Sequence, residues 1–244
     1  MKNKKLIPVV ILVLIVVGIA IKYYVFPSEF LYAGTLEATK VDISARVTSV
    51  IASRTVNEGD KVQQGQVLMD LDCEDFKLAA GIAGQNYDRA LRLYRQGSEA
   101  KEAYDQMLNR KQDVDLKLSW CQIKAPLNGT VLNKYHEVGE MVNPGSRLFT
   151  MANLQDIYAY IYVPHDMLAK LRVGQSLTAA LPEMKNREFT GVITHINEEA
   201  EFTPKNVQTR EERTRLVFGI KITFNNQEEI LKPGMTLEVR LPKE

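Results

Sequence analysis

The residue types that most often carry chemistry are sparse in this chain, and their spacing suits none of the common reactions. The three histidines, His136, His165 and His195, stand at isolated positions without the short ligand spacing of a metal site, and they read as surface or strand residues. Asp70, Asp72, Glu74 and Asp75 form one acidic cluster. Carboxylates at a helix start favour the positive end of its dipole, which explains the cluster better than calcium binding does. Cys73 and Cys121 have no histidine near them in sequence, so a thiol nucleophile would lack a base. No glycine-rich phosphate loop occurs. No catalytic residue, metal ligand or cofactor-binding residue is assigned, and the chain reads as a non-enzyme without a cofactor.

The stretch between the two cysteines is the element on which the rest is organised. Apolar or small residues recur at Cys73, Phe76, Ala80, Ala83, Tyr87, Ala90 and Tyr94, in the steps of three and four that mark a helical seam. Ala100, Tyr104, Met107, Lys111, Val114, Leu118 and Cys121 repeat the pattern, with Lys111 the one charged intruder. Gly97-Ser98 between them reads as a helix stop and a possible N-cap. Folded at Gly97, facing positions have numbers that sum to 194, so Phe76 meets Leu118 and Ala80 meets Val114. An antiparallel helical hairpin follows. Cys73 and Cys121 also sum to 194 and should meet at its base, either bridged or as two buried thiols.

The whole chain has 244 residues, with 31 Lys and Arg against 30 Asp and Glu. No basic excess points to nucleic acid. MKNKK precedes an uncharged run from Leu6 to Ile21, and the segment to Phe26 spans about 31 Å as a helix, enough to cross a bilayer. Lysines on its N-terminal side place that end in the cytoplasm and the bulk of the chain outside. A cleaved signal peptide is the alternative.

Residues 41–72 read as short strands joined by turns, and residues 122–152 repeat them at an offset of 80 without a gap. Ile43 and Ala45 match Ile123 and Ala125, Gly59 matches Gly139, Val62 matches Val142, Gly65 matches Gly145 and Leu68 matches Leu148. Two similar halves should pair into one small β-sandwich, with the hairpin inserted between them. Before them, Phe30 to Leu36 has strand composition, with a bulge suggested at Gly34. After them, Ile157–Val163, a short helix from Pro164 to Leu171, and strands at Ser176–Leu181, Glu188–Ile196, Thr214–Phe224 and Thr236–Leu241 suggest a small β-barrel.

The motifs Gly59-Asp60-Lys61-Val62-Gln63-Gln64-Gly65-Gln66-Val67-Leu68 and Ile123-Lys124-Ala125-Pro126-Leu127-Asn128-Gly129-Thr130-Val131 resemble the two half-motifs of a biotinyl/lipoyl-type domain as found in HlyD-type membrane fusion proteins. These are periplasmic adaptor subunits of bacterial efflux and secretion systems. Phe202-Thr203-Pro204-Lys205-Asn206-Val207-Gln208-Thr209-Arg210 and Leu231-Lys232-Pro233-Gly234-Met235 resemble the family's β-barrel domain, the first being more typical of adaptors of ABC-type exporters. The fold class is thus mainly β with an α-helical hairpin: a split lipoyl-like sandwich, a small β-barrel and an N-terminal transmembrane helix. The expected division is 1–26 cytoplasmic tip and anchor, 27–40 linker and first strand, 41–72 plus 122–152 sandwich, 73–121 hairpin and 153–244 barrel.

The resemblance implies a non-catalytic adaptor held in the inner membrane by one span, with its bulk in the periplasm. It would link an inner-membrane transporter, ABC-type or proton-driven, to an outer-membrane channel, and would self-associate as a ring of six copies. In family members that dock on outer-membrane ducts, the hairpin tip runs Arg, three residues, Leu, six residues, Ser. Arg89 and Leu93 keep that spacing, and Ala100 stands where the serine would be, so the partner-binding residues carried over are Arg89, Leu93 and Ala100. Two rivals remain. One is a periplasmic structural or regulatory protein whose hairpin binds another envelope partner. The other is a biotin or lipoate carrier, which needs a lysine exposed at the turn joining the halves; Asp72-Cys73-Glu74 stands there instead, and Lys61 and Lys124 lie inside the half-motifs.

Overall fold

The computed structural model describes residues 31–182, 184, 187–202 and 216–242. Thirteen strands and three helices occur among them. In chain order these are β1 (Leu31–Ser44), β2 (Ser49–Arg54), β3 (Lys61–Val62), β4 (Val67–Asp72), α1 (Glu74–Arg95), α2 (Lys101–Ser119), β5 (Gln122–Lys124), β6 (Gly129–Lys134), β7 (Met141–Val142), β8 (Arg147–Pro164), α3 (His165–Leu168), β9 (Ser176–Ala180), β10 (Glu188–Ile196), β11 (Glu201–Phe202), β12 (Leu216–Asn225) and β13 (Thr236–Arg240). The anchor expected over 1–26, residues 203–210 of the barrel motif and the start of the strand expected at Thr214 lie outside the described residues. Among the described residues no helix is long and apolar enough to cross a membrane.

The chain separates into two compact units. One holds the described parts of 1–36, 158–225 and 234–244, and the other holds 37–157 and 226–233. The long strands β1 and β8 contribute residues to both.

In the second unit, the repeat at an offset of 80 is carried through strand for strand. The pairs β2 and β6, β3 and β7, β4 and the first part of β8 begin 80 residues apart. Register repeats as well: Val50 pairs with Asp72 and Thr130 with Ala152, and both ladders slip by one residue immediately afterwards, between Ile51 and Ser53 and between Val131 and Asn133. Each half therefore reproduces the other's bulge, which bends and twists a strand at a fixed place. Alternate apolar positions point inward, and Ile51, Leu68, Val131, Leu148, Phe149 and Met151 are almost wholly shielded from solvent.

Four turns lock the halves to each other. Gly59, Gly65, Gly139 and Gly145 all have φ between +84° and +93°, which a side chain other than glycine resists. At each, the glycine N–H donates to the carbonyl of one buried residue, and that residue's N–H donates to the carbonyl after the glycine. Gly59 and Asp60 exchange bonds with Val131 in this way, at 2.8 and 3.0 Å, and Gly139 and Glu140 with Ile51, at 2.9 Å each. Gly65 and Gln66 do the same with Ala125, and Gly145 and Ser146 with Ala45. Every one of these exchanges crosses from one half to the other.

A segment of the same unit, residues 226–233, is held by Asn226. Its side chain is buried and donates to the carbonyls of Leu154 and Leu231 at 2.8 Å, while its Oδ1 accepts from the Leu231 N–H at 3.0 Å. The Asn226 backbone N–H adds a bond to Gln155 O. The amide thus stands in for a strand partner where the chain turns.

In the first unit, β12, β10, β9, β13, β1 and β8 follow one another in hydrogen-bonded order, and β12 also pairs with β8, which closes a barrel. Ile161, Val163, Ala179, Ile193, Ile222 and Val239 fill its core. Against β13 the bulge expected at Gly34 does not occur: Leu31–Thr35 pair with Arg240–Thr236 without a slip. Glycine is needed there for another reason, because a Cβ would lie 2.7 Å from the Tyr160 carbonyl oxygen. The short helix expected from Pro164 to Leu171 is confined to His165–Leu168.

Replacing Asn226 with alanine should destabilise the chain by about 2–3 kcal/mol, because it strands buried carbonyls and one N–H. Urea unfolding of the full chain measures this, and a loss below about 0.5 kcal/mol would contradict the bracing role.

Candidate partner-binding site

No cluster of three or more histidine, cysteine or acidic side chains able to hold a metal occurs among the described residues. His136 pairs with Glu140 at 2.7 Å, and His195 lies exposed on β10. Glu74 and Asp75 occupy the first turn of α1, and Glu74 holds Lys77 at 2.7 Å. That hydrogen bond, with Asp72 and Asp70 also near, raises the Lys77 pKa. Lys61 reaches Glu229 at 2.7 Å. The features left to consider lie on the helices.

The helices α1 and α2 pack against each other along their length. At one end Cys73 and Cys121 stand with Cα atoms 6.2 Å apart and are joined as a disulfide. Both sulfurs belong to the sandwich core, with Phe76, Leu118 and Trp120 packed beside it. The entrance is braced by backbone as well, since Asp70 pairs with Gln122 and the Leu71 N–H donates to Cys121 O at 2.9 Å. Ala83, Ala90 and Val114 are buried between the helices. Opposite the small Ala90, Tyr104 inserts between two tyrosines of α1: its ring centroid lies 5.8 Å from Tyr87 and 5.2 Å from Tyr94, stacked on the latter. Donation of the Tyr104 hydroxyl to Tyr87 raises the Tyr104 pKa. Tyr104, which the spacing sets opposite Ala90, thus reaches diagonally to the tyrosines one turn to either side. Lys111 keeps its place on the seam by turning its ammonium to Asp115, 2.5 Å away in the same helix. That bond raises its pKa.

At the other end, α1 stops with Gly97 at φ +74°. The Gly97 N–H donates to Tyr94 O and the Ser98 N–H to Leu93 O, which is the Schellman arrangement for spare helix carbonyls. Ser98 is thereby used in the stop of α1. The N-cap of α2 is Ala100, with extended backbone and no side-chain bond, so the cap suggested at Ser98 is not formed. Alanine leaves the first N–H groups of α2 without the oxygen that serine or aspartate would supply.

Of the residues assigned to the tip, Arg89 is exposed and Leu93 half-buried. Together with Ala90 they line one side of a groove of about 220 Å³, closed by Glu99, Ala103 and Met107. Ala100 sits one residue outside that lining, exposed at the turn. Leu93 thus looks into the cleft between the helices, while Arg89 forms no ion pair among the described residues. The aromatic insertion and the uncapped α2 were not legible in the motif spacing; a tyrosine opposite an alanine on a seam is the signal that could have exposed the first.

Two family models match the chain in succession. Residues 39–153 match the barrel-sandwich hybrid domain of RND membrane fusion proteins, and residues 157–244 match a CusB-like β-barrel domain. Among curated relatives, a UPF0194 membrane protein of Acidithiobacillus ferridurans is 33% identical over 52% of this chain and 37% of its own length. The UPF0194 membrane protein YbhG of Salmonella paratyphi B is 25% identical over 86% of this chain and 88% of its own. Among solved structures, a MacA-MexA chimeric protein containing the Pseudomonas aeruginosa MexA α-hairpin domain superposes with a TM-score of 0.72 at 19% identity, over 87% of this chain and 80% of its own.

Substituting Ala100 with serine should supply the missing cap and stabilise α2 by about 1 kcal/mol. Thermal melting followed by helix circular dichroism reads this directly, and an unchanged or lowered midpoint would rule out Ala100 as the cap position. By these matches, residues 39–153 are similar to the barrel-sandwich hybrid domain of RND membrane fusion proteins, and residues 157–244 to a CusB-like β-barrel domain.

Proposed function

We propose that this protein is a non-catalytic periplasmic adaptor of an efflux or secretion system, anchored in the inner membrane by residues 1–26. The observation that carries the reading is the two successive domain matches, covering 39–153 and 157–244, with a helical insertion inside the first. The helix pair acts as a hairpin that reaches toward an outer-membrane channel, with Arg89 and Leu93 at its docking end and Ala100 at the turn. The barrel meets the inner-membrane transporter, which supplies the energy. Several copies assemble as a ring, six in the family it resembles. For the transporter, the motif at Phe202–Arg210 supports an ABC-type partner, whereas the similarity of residues 39–153 to an RND membrane fusion protein domain favours a proton-driven one.

Helices of 22 and 19 residues reach only about 30 Å, so one copy does not span a periplasm alone. The docking end must therefore meet a partner that extends most of the way. Arginine suits backbone carbonyls and carboxylates on such a partner, and a partly exposed leucine suits the groove of a facing helix.

Arg89→Glu combined with Leu93→Ala should abolish export and cross-linking to the channel while leaving the chain folded. Export at the unaltered level in the double variant would remove the tip from the mechanism.

We further propose that the Cys73–Cys121 bridge is formed in the exported chain, since secretion places it in an oxidising compartment. Unreduced, denatured protein should then show no titratable thiol. Opening the loop, whose ends are 48 residues apart, by Cys73→Ser with Cys121→Ser should cost about 4 kcal/mol on chain-entropy grounds. Two reactive thiols in that denatured, unreduced sample would refute the bridge.

A further inference from the structure

The barrel carries an apolar rim at one of its two ends. Neighbouring strands run antiparallel: β13 against β1 and β9, and β10 against β9 and β12. The end at which β1 begins therefore also receives the ends of β13 and β10 and the starts of β9 and β12. The helix α3 stands there too. Burial raises the Tyr32 pKa, and the nearby Asp166 carboxylate in α3 raises it further, which sets α3 beside the start of β1.

Among the described residues of this unit, the large apolar side chains left exposed are Leu31 at 38%, Val173 at 63%, Val192 at 38%, Phe202 at 71% and Leu216 at 54%. All of them gather at that end. Leu31 opens β1 and Leu216 opens β12. Phe202 closes β11, which follows the end of β10, and pairs directly with Leu216. Val173 sits in the turn before β9, where the Gly174 N–H donates to Ile193 O at 2.8 Å and the Ile193 N–H to Gln175 O at 2.9 Å. Those bonds hold the turn beside Val192. At the opposite end the exposed side chains are polar, with Glu188, Asn225 and Thr236 among them. Solitary apolar groups are ordinary on a protein surface, but a cluster confined to one end marks a contact.

The covering partner is not selected by charge. Lys170 and Arg172 stand at this end with Asp166, Glu198, Glu199 and Glu201, so the rim has no cationic excess. What lies close is set by the chain. The anchor proposed for residues 1–26 ends at Phe26, and the five peptide steps from there to Leu31 span at most about 18 Å. The end that gathers the apolar groups is the end tethered to the bilayer.

We propose that this rim rests on the membrane from which the chain emerges, with Leu31, Val173, Phe202 and Leu216 sunk about 5–10 Å into the boundary of headgroups and acyl chains. The partner is a lipid surface, because the tether holds the rim against one and because insertion of this kind scales with the apolar area buried. Anchor and rim together form two attachments, which fix the direction in which the barrel leaves the bilayer. The inference rests on the membrane anchor in the reading above.

The test uses the full chain, unreduced so that Cys73 and Cys121 stay joined, reconstituted in phosphatidylcholine vesicles. A spin label is attached to Phe202→Cys and, in a second variant, to Asn225→Cys, at the other end of β12 from Leu216 and roughly 30 Å along the strand. The ratio of collisions with oxygen to collisions with a water-soluble nickel chelate should be about tenfold higher at 202 than at 225. Added phosphatidylglycerol or salt should leave that ratio unchanged, since no charge attraction is involved. Equal, water-like ratios at both sites, in a chain that stays with the vesicles through an alkaline wash, would overturn the rim contact and leave the anchor standing. Release of the chain by that wash would overturn the anchor and this inference with it. A label at 202 that is shielded in native inner-membrane vesicles but open in pure lipid would mean that a protein covers the rim, which overturns the lipid assignment.

Discussion

The sandwich depends on hydrogen bonds that each half can make only with the other. Where Gly59 bends the chain, the buried residue that satisfies the turn is Val131, and where Gly139 bends it, that residue is Ile51. Neither half can complete its own turns. The four glycines with φ near +90° are therefore placed where their N–H groups are aimed across the interface, and the exchange with Ala45, Ile51, Ala125 and Val131 fixes register to the residue. Burial of the same apolar residues adds a non-directional force along the same lines. The insertion of two helices is compatible with this because the long-range pairing does not need the halves to be close in sequence.

This constraint explains what was legible in the sequence. A repeat at an offset of 80 appears because both halves must offer the same turn and the same receiving residue. The inner helical seam was legible for a related reason: facing positions along a fold-back obey simple arithmetic, and Cys73 with Cys121 satisfies it in three dimensions. The rest was hidden wherever one residue's role depends on a partner with no periodic relation to it. Asn226 braces Leu154 and Leu231 from a position that reads as an ordinary turn asparagine. Gly34 reads as a bulge, although its smallness answers to the carbonyl of Tyr160 in a neighbouring strand. Ser98 reads as a cap, although its N–H closes the preceding helix. At the candidate site, the spacing of Arg89 and Leu93 was visible, but not that both border one groove closed by Glu99, Ala103 and Met107.

The helix pair presents surfaces of different character. Its inner seam is tight and partly aromatic, held by the Tyr87, Tyr104 and Tyr94 rings. Its groove holds the half-buried Leu93. Elsewhere it keeps exposed aliphatic groups, Leu78, Ile82 and Leu116. Such a division is possible because a helix offers three or more separable stripes, each with its own period of three and four.

The braced entrance to the helices has a consequence for how such proteins can change. The β4–β5 ladder and the bonded cysteines hold the two strands of the insertion at one separation whatever lies beyond them. Seven residues added to each helix would preserve every stripe and lengthen the projection by about 10 Å. The sandwich would be untouched, because lengthening a closed loop costs little entropy. Reach is thus a dimension that can drift in whole heptads while the domain beneath it stays constant, so the length of the projection is set by counting turns rather than by redesigning a fold.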